Sequence, residues 1–256
     1  MARVGSFYTP GTAMAGIDAM YLLDLTLPMI AENLALDEAL LLEAEAGGAE
    51  VLRFWEWKQP AVILGAGCRL ADDVDEAACQ SDGVPILRRS SGGGTVLLGP
   101  GCLCFSLVLN YDRAAELGDI RTSYAYILGR IRDVHADLSA EIACAGTSDV
   151  ACGGRKFSGN SQQRKRRHLL HHGTILYGFD LTLVGRYVRM PLRRPDYRKE
   201  RDHVSFLANL AIEPAEIRRR LRSAWQAKTE LPAVPHGSMQ QLVADKYSRE
   251  EWVRRR

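Results

Sequence analysis

The stretch RRSSGGGTVLLGPGCLCFSLVL, residues 88–109, combines a glycine-rich loop with a long apolar run. Two arginines and two serines lead into three glycines, and a Gly-Pro-Gly turn then separates this loop from a long apolar run. Glycines let backbone N–H groups approach an anion, and adjacent arginines favour phosphate or carboxylate groups. The alternative is a mobile turn between two strands that has no binding function, and the loop alone leaves both possibilities open.

Composition and charge restrict the class of protein. The 256 residues are 46% apolar and 25% charged, which is typical of a globular domain, and the net charge of +2 is too small to indicate nucleic-acid binding. The six cysteines form no C-x-x-C pair and no zinc pattern with histidine. Neither a signal peptide nor a membrane span is recognisable, so we expect a cytoplasmic protein without membrane or nucleic-acid partners.

The pattern of apolar residues predicts an α+β fold with a mixed, largely antiparallel β-sheet flanked by helices. Residues 1–19 lack periodicity, and we expect them to be flexible. Helical spacing is clear in three segments, and strand-like runs fill most of the remainder up to residue 180. The predicted helices include 28–46, 71–83, 119–140 and 213–229, and the predicted strands include 49–57, 61–65, 84–89, 101–111, 141–146, 148–152, 155–163 and 171–180.

A second polar stretch, GGRKFSGNSQQRKRRHLLHHGTIL, occupies residues 153–176. It contains Lys156 in a glycine-rich, strand-like setting, where a compact positive charge could polarise a carboxylate or phosphate oxygen. A solvated surface lysine is the alternative. His171 and His172 are consecutive in a predicted strand, so at most one of them faces a site. No Ser/His/Asp order and no paired carboxylates stand out.

Taken together, the two stretches resemble the lipoate–protein ligase A family, within the wider group of biotin and lipoate ligases and octanoyltransferases. The matching residues are the glycine loop, SDVACGGRKFSGNSQ at 148–162 and HHGTIL at 171–176. ENLALDEALL at 32–41, VILG at 62–65 and MPLRRPDYRKERDHVSFLANL at 190–210 add to the resemblance. It implies a biotin/lipoate ligase-type catalytic domain over residues 20–210, followed by a helical extension, 211–256, packed on it.

The resemblance also implies an activity and its substrates. Lipoate would be activated with ATP to lipoyl-AMP, with Mg²⁺ bridging the phosphates, and the lipoyl group would pass to a lysine of a lipoyl-carrier domain. Such carriers are 2-oxoacid dehydrogenase E2 subunits and the glycine cleavage H protein. The arginine-rich turn at 164–167 and the arginines after residue 192 offer a basic rim for an acidic carrier.

Site residues follow from the same resemblance, position by position. Arg89 matches the arginine that meets ATP phosphate, and Lys156 matches the catalytic lysine that touches the lipoyl carbonyl and the phosphate. Asp149 is the candidate for the metal or for orienting Lys156. The remaining candidate substrate- and nucleotide-binding residues are Ser91, Gly92, Gly93, Gly94, Thr95, Val96, Leu97, Ser158, Gly159, His172 and Gly173.

Departures from the family keep two alternatives open. Only 46 residues follow Leu210, too few for the extra domain of two-domain ligases, so a separate accessory subunit could supply it. Alternatively, the chain performs only ATP-independent octanoyl or lipoyl transfer through a Cys144 thioester. A non-catalytic protein that binds lipoyl groups is the non-enzymatic rival, and the presence of Arg89 and Lys156 argues against it.

Overall fold

A large sheet and a helix packed against its central strands position the site. The computed structural model describes residues 20–256, so the predicted flexible N-terminus, residues 1–19, lies outside the described residues. Within residues 20–256 the strands are β1 (Met20–Asp24), β2 (Glu50–Glu56), β3 (Ala61–Leu64), β4 (Ile86–Arg88), β5 (Val96–Leu98), β6 (Cys102–Asn110), β7 (Ile142–Ala145), β8 (Asp149–Cys152), β9 (Arg155–Arg164), β10 (His168–Leu176) and β11 (Thr229–Glu230).

Helices lie mainly at the two ends of the chain and between β6 and β7. Within the same residues they are α1 (Ile30–Glu45), α2 (Leu70–Asp73), α3 (Glu76–Asp82), α4 (Ile120–Asp133), α5 (Val184–Tyr187), α6 (His203–Phe206), α7 (Pro214–Ala224), α8 (His236–Leu242) and α9 (Glu250–Arg254). A π-helical turn, Val243–Tyr247, continues α8. The sequence predicted one helix where α2 and α3 form two, because Val74 between them is extended and bridges Val188.

The large sheet has the strand order β11-β1-β2-β6-β10-β9-β8-β7. Following this strand order, every neighbouring pair between β2 and β7 is antiparallel. The two pairs that β1 makes, with β2 and with β11, are parallel. A smaller sheet, β4-β3-β5, combines a parallel and an antiparallel pair. The predicted α+β fold with a mixed, largely antiparallel sheet flanked by helices is confirmed.

Strand periodicity separates two apolar cores, one on each face of the large sheet. Along β6, Cys102, Cys104 and Val108 face a core that includes α1 and the small sheet. The alternate residues Leu103, Phe105, Leu107 and Leu109 face the core that includes α4 and α7. β6 and β10 are therefore covered on both faces, and the cavity described below lies on the α1 face.

The C-terminal segment contributes to both cores. Ile217, Leu221 and Trp225 of α7 are buried on the α4 face, whereas Met239 and Tyr247 are buried on the α1 face. The segment is not purely helical as predicted, because β11 joins the sheet edge beside β1. Two exposed residues carry no apolar alternation, so this strand left no pattern in the sequence. Among residues 20–256, no helix combines the length and the apolar character needed to cross a membrane.

Candidate active site

A cavity of ≈ 140 Å³ lies where the glycine loop meets the α1 face of the large sheet. Nine of the predicted site residues line it: Arg89, Gly93, Gly94, Thr95, Val96, Lys156, Gly159, His172 and Gly173. Apolar side chains supply another part of the wall, including Leu34 of α1, Trp55 of β2, Leu98 of β5 and Cys104 of β6. A cavity with an apolar wall and a few convergent polar groups suits a ligand with an aliphatic chain and a charged end.

Arg89 shapes the glycine loop from inside. Its side chain is buried and donates hydrogen bonds to the carbonyl oxygens of Gly92 (2.6 Å), Gly94 (2.8 Å) and Ile63 (3.3 Å). Burial lowers the pKa of Arg89 to about 10, which still leaves the guanidinium charged at neutral pH. Most of its donors therefore bind main-chain carbonyl oxygens, and the positive charge lies at the cavity wall.

The loop needs glycine at defined positions. Gly93 has φ +79°, and a Cβ there would lie 3.0 Å from Nη2 of Arg89. Gly65, at the end of β3, approaches the loop so closely that a Cβ on it would lie 2.0 Å from the Gly93 oxygen. Gly94 differs, because a Cβ on it would meet no atom within 4 Å. Gly94 thus borders open space in the cavity, whereas Gly93 and Gly65 are constrained by the fold.

His172, Ser91 and Asp37 form a hydrogen-bonded chain that the sequence did not reveal. Nε2 of His172 lies 2.5 Å from Ser91 Oγ, and its Nδ1 lies 3.3 Å from Asp37 Oδ2. Ser91 Oγ also accepts a hydrogen bond from Arg89 Nε (3.0 Å). Ser91 is buried and does not line the cavity, so the chain fixes Arg89 rather than presenting a nucleophile.

Asp37 is a buried carboxylate held in its charged form. Burial raises its pKa, but the buried Arg53, whose Nη1 lies 2.5 Å from Asp37 Oδ1, together with His172 and Ser106, brings it below the ordinary value. Asp37 and Glu38 are acidic residues in the otherwise apolar helix stretch LALDEALL, and both are buried. Acidic residues are seldom buried unless they are paired. Two acids within an apolar helix stretch were therefore the one signal in the sequence that pointed to Asp37.

Lys156 lies at the cavity with one carboxylate partner. Its Nζ is 2.8 Å from Asp149 Oδ1, and the other oxygen of Asp149 accepts a 2.7 Å hydrogen bond from Tyr197 OH. The Lys156 side chain is 25% exposed and Asp149 is 8% exposed. Gly159 makes room for the lysine, because a Cβ there would lie 2.5 Å from both Cε and Nζ of Lys156.

The two neighbouring histidines of β10 have different environments, as strand alternation predicted. His172 lines the cavity, whereas His171 is fully buried on the other face beside Phe105 and Tyr124. Burial lowers the pKa of His171 to about 3, so it stays neutral. The prediction that at most one of them faces the site is confirmed.

Cys144 lies on the opposite face of the sheet from Asp149. It pairs with Val150 across β7 and β8, and directly opposite residues share a face. Val150 is buried in the core that includes α4, whereas Asp149, the preceding residue of β8, makes its ion pair with Lys156 on the cavity side. Partial burial raises the pKa of Cys144, which disfavours the thiolate.

The other predicted residues outside the cavity have local roles. Leu97 packs in the core, the Ser158 hydroxyl accepts a hydrogen bond from Asn160, and the Gly92 carbonyl accepts hydrogen bonds from Arg89 and Ser161. Cavity residues that the sequence did not single out are Leu34, Asp37, Trp55, Leu98, Cys104, Phe105, Ser148, Asn160, Ser161 and Thr174.

The described residues do not offer a protein-ligated Mg²⁺ site around Asp149. Both of its oxygens are engaged, one by Lys156 and one by Tyr197. Across residues 20–256 no group of three or more His, Cys, Asp or Glu side chains is arranged to hold a metal ion. The donor set therefore does not fit a metal ion bound by the protein alone.

Comparisons with known proteins show which family and fold this chain shares. The chain is 30% identical to the octanoyltransferase LipM of Carboxydothermus hydrogenoformans, over 87% of this chain and 94% of that protein. A bipartite lipoate protein ligase of Thermoplasma acidophilum, described together with its E2 lipoyl domain as an archaeal lipoylation system, has a TM-score of 0.79 at 23% identity, covering 92% of this chain and 96% of that one.

A solved lipoate–protein ligase A bound with ATP gives a TM-score of 0.76 at 22% identity, covering 92% and 98% of the two chains. These two structural likenesses establish a common fold. The model of the lipoyl protein ligase A/B catalytic domain matches residues 29–225, which is more than half of the chain. The chain therefore belongs to the lipoyl protein ligase A/B catalytic domain family.

Proposed function

We propose that this protein is an ATP-dependent lipoate–protein ligase that forms lipoyl-AMP and passes the lipoyl group to a lysine of a lipoyl-carrier domain. The observation that carries the proposal is that no cysteine is placed and activated as a nucleophile at Lys156. All six cysteines lie within the described residues, and of these only Cys104 lines the cavity. Burial raises the pKa of Cys104 well above its ordinary value, so its thiol stays protonated.

Without a cysteine nucleophile at Lys156, acyl transfer is proposed to run directly from an activated donor to the acceptor amine. The carboxylate oxygen attacks the α-phosphorus of ATP, and pyrophosphate leaves. The acceptor amine then attacks the carbonyl carbon, AMP leaves, and the amine loses its proton. Lys156 is proposed to stabilise the negative charge that develops on the acyl and phosphoryl oxygens, and the glycine loop to bind the nucleotide through its backbone.

The apolar wall is proposed to hold the aliphatic chain. Leu34, Trp55 and Leu98 line the cavity on the α1 side, which suits a medium-length acyl chain such as lipoate. The mechanism contains no step through a metal ion bound by Asp149. The free thiols of all six cysteines fit a reducing compartment, and so support the proposed cytoplasmic location.

A second candidate is ATP-independent octanoyl or lipoyl transfer. The similarity to the octanoyltransferase LipM, which extends over nearly the whole of that protein, favours it. In that case an acyl thioester would take the place of the adenylate, and the acceptor would again be a lipoyl-carrier lysine. The similarity to the Thermoplasma ligase, which acts within a lipoylation system with its own E2 lipoyl domain, supports the choice of acceptor in both cases.

The deciding experiment uses the purified chain, a lipoyl domain and two donor mixtures. We expect pyrophosphate release and domain lipoylation with lipoate plus ATP, and little transfer from octanoyl-carrier protein without ATP. The reverse pattern would replace the ligase by the transferase. Activity that appears only when a second protein is added would show that an accessory subunit is required, and binding without either transfer would indicate the non-catalytic alternative.

A further inference from the structure

The segment between α5 and α7 crosses the Lys156 region and contributes one polar side chain to it. Ala208 N donates to the Lys156 carbonyl (2.9 Å), Arg201 Nη1 donates to the Gly154 carbonyl (3.0 Å), and Arg155 Nη2 donates to the Val204 carbonyl (3.1 Å). These contacts fix the segment along the β8–β9 turn. They bring Tyr197 over Gly146, where an added Cβ would lie 3.4 Å from the Tyr197 ring.

Tyr197 is held so that its hydroxyl has one direction. Its ring packs against Phe206 with centroids 5.2 Å apart, and its carbonyl accepts a hydrogen bond from Arg201. The hydroxyl donates to Asp149 Oδ2 at 2.7 Å. Burial and the Asp149 charge raise the pKa of Tyr197 far above its ordinary value, so the hydroxyl remains a donor at every working pH.

We propose that Tyr197 is a positioning residue that acts through Asp149 to fix the place of the Lys156 ammonium group. The inference rests on the proposed role of Lys156 in acyl transfer. A carboxylate with one free oxygen can rotate, and the lysine that pairs with it then follows. Because Tyr197 engages the second oxygen, the carboxylate plane is set by the packed segment and only Lys156 remains free to meet a substrate oxygen.

The expected consequence is a loss of turnover without a loss of substrate binding. In Tyr197→Phe the ring and its packing remain, and only the hydroxyl is removed. We expect kcat to fall about ten- to a hundredfold, the range that a misplacement of about 1 Å can cause, while KM for the acyl substrate stays within about twofold. Tyr187→Phe is the matched control, because Tyr187 OH makes a hydrogen bond of the same 2.7 Å length to Asp82.

A double-mutant cycle tests whether the effect runs through Asp149. Tyr197→Phe, Asp149→Ala and the double variant are assayed with whichever donor the wild type uses, lipoate plus ATP or an acyl-carrier thioester. If the proposed ligase activity is wrong, the wild type will show no lipoylation with lipoate plus ATP. That result does not affect the cycle, which uses the donor that the wild type accepts. Asp149→Asn replaces Asp149→Ala if the alanine variant does not fold.

The expected result is that the double variant is no slower than the Asp149 variant alone. If the two single substitutions lower kcat by factors that multiply in the double variant, Tyr197 acts independently of Asp149, through the stability of the segment. That result would overturn the inference. Wild-type kcat in Tyr197→Phe would overturn it as well.

Discussion

Trp252 and Arg88 hold each other by reciprocal hydrogen bonds at the flank of the glycine loop. Trp252 Nε1 donates to the Arg88 carbonyl (2.8 Å), and Arg88 Nε donates to the carbonyls of Trp252 (3.1 Å) and Val253 (2.9 Å). Arg88 is fully buried and also donates to Gly65 and Cys68. The C-terminal helix α9 is thereby attached to the residue that begins the RRSSGGG stretch.

Loosening this contact should weaken the fold and the site together. Trp252→Phe keeps an aromatic ring but removes the N–H, so the free energy of unfolding should fall by about 1 kcal/mol, the usual net value of one hydrogen bond. The acyl-transfer rate should fall as well, because Arg88, the last residue of β4, loses the hydrogen bond to its carbonyl oxygen. Chemical denaturation and the transfer assay measure the two effects. Trp57→Phe is the control, since Trp57 Nε1 is buried without a hydrogen-bond partner. An equal fall in the free energy of unfolding in both variants would mean that the Trp252 hydrogen bond does not contribute.

The glycine loop allows a test that separates fold from binding. Gly93→Val should strain the loop and abolish activity, because Gly93 has φ +79° and lies against Arg89. Gly94→Ala should leave the melting temperature unchanged, because its Cβ would meet no protein atom within 4 Å. If a substrate fills that space, Gly94→Ala weakens binding selectively, which calorimetry with the nucleotide and the acyl substrate would measure. Wild-type turnover in Gly93→Val would remove the loop from the active site.

Lys156 should be required for the chemical step. Lys156→Ala should lower acyl-adenylate formation by at least about a hundredfold, the scale of losing one preorganised charged donor. Lys156→Arg should not restore the rate, because a planar guanidinium does not replace a compact ammonium group. Single-turnover measurement of the adenylate checks both variants, and a near-normal rate in Lys156→Ala would make the lysine structural.

Gly159→Ala offers an independent test of the same lysine. The new methyl group would lie only 2.5 Å from Lys156 Cε and Nζ, so the flexible side chain has to move while the backbone need not. We expect a lower rate with little change in melting temperature. Gly185→Ala is the control, because a Cβ at Gly185 meets nothing within 4 Å.

Cys144 distinguishes direct transfer from a thioester route. Because it lies on the sheet face away from Asp149 and its pKa is raised, Cys144→Ser should keep full activity. Iodoacetamide should likewise leave the rate of acyl transfer unchanged. Transfer with lipoate plus ATP should be equal in wild type and variant, and both should show little transfer from an acyl carrier without ATP. Robust ATP-free transfer that disappears in the serine variant would establish the thioester route instead.

Glu38 should make stability depend on acidity. Burial raises its pKa, but hydrogen bonds from Lys246 and Tyr247 outweigh burial and bring it below the ordinary value of 4.5. A carboxyl whose pKa is depressed by folding stabilises the fold above its unfolded pKa, and this contribution disappears as the pH falls through the folded value. The stability difference between wild type and Glu38→Gln should therefore be full at pH 7 and shrink below about pH 4.5. Denaturation at several pH values measures it, with Glu43→Gln on the same helix as control; a difference independent of pH would contradict the assignment.

Local pattern predicted a strand such as β6 because both of its faces are buried, which gives a continuous apolar run in the sequence. It also predicted that only one of His171 and His172 faces the site, since that depends only on the pleat. Pattern could not find the chain from Asp37 to His172, whose members are 135 positions apart. The same limit applies to Tyr197 and Asp149, which are 48 positions apart and belong to separate elements.

The sequence by itself determined the fold class and the family resemblance, and it predicted the glycine loop and Lys156 as central parts of the candidate site, because these depend on residue type and local spacing. Tertiary structure decided the direction of Cys144, since the face of a strand residue depends on the register of β7 against β8. It also decided that Arg89 is committed to the carbonyls of its own loop and that Tyr197 shares Asp149 with Lys156. Such partners are chosen by packing between distant segments, which no local pattern records.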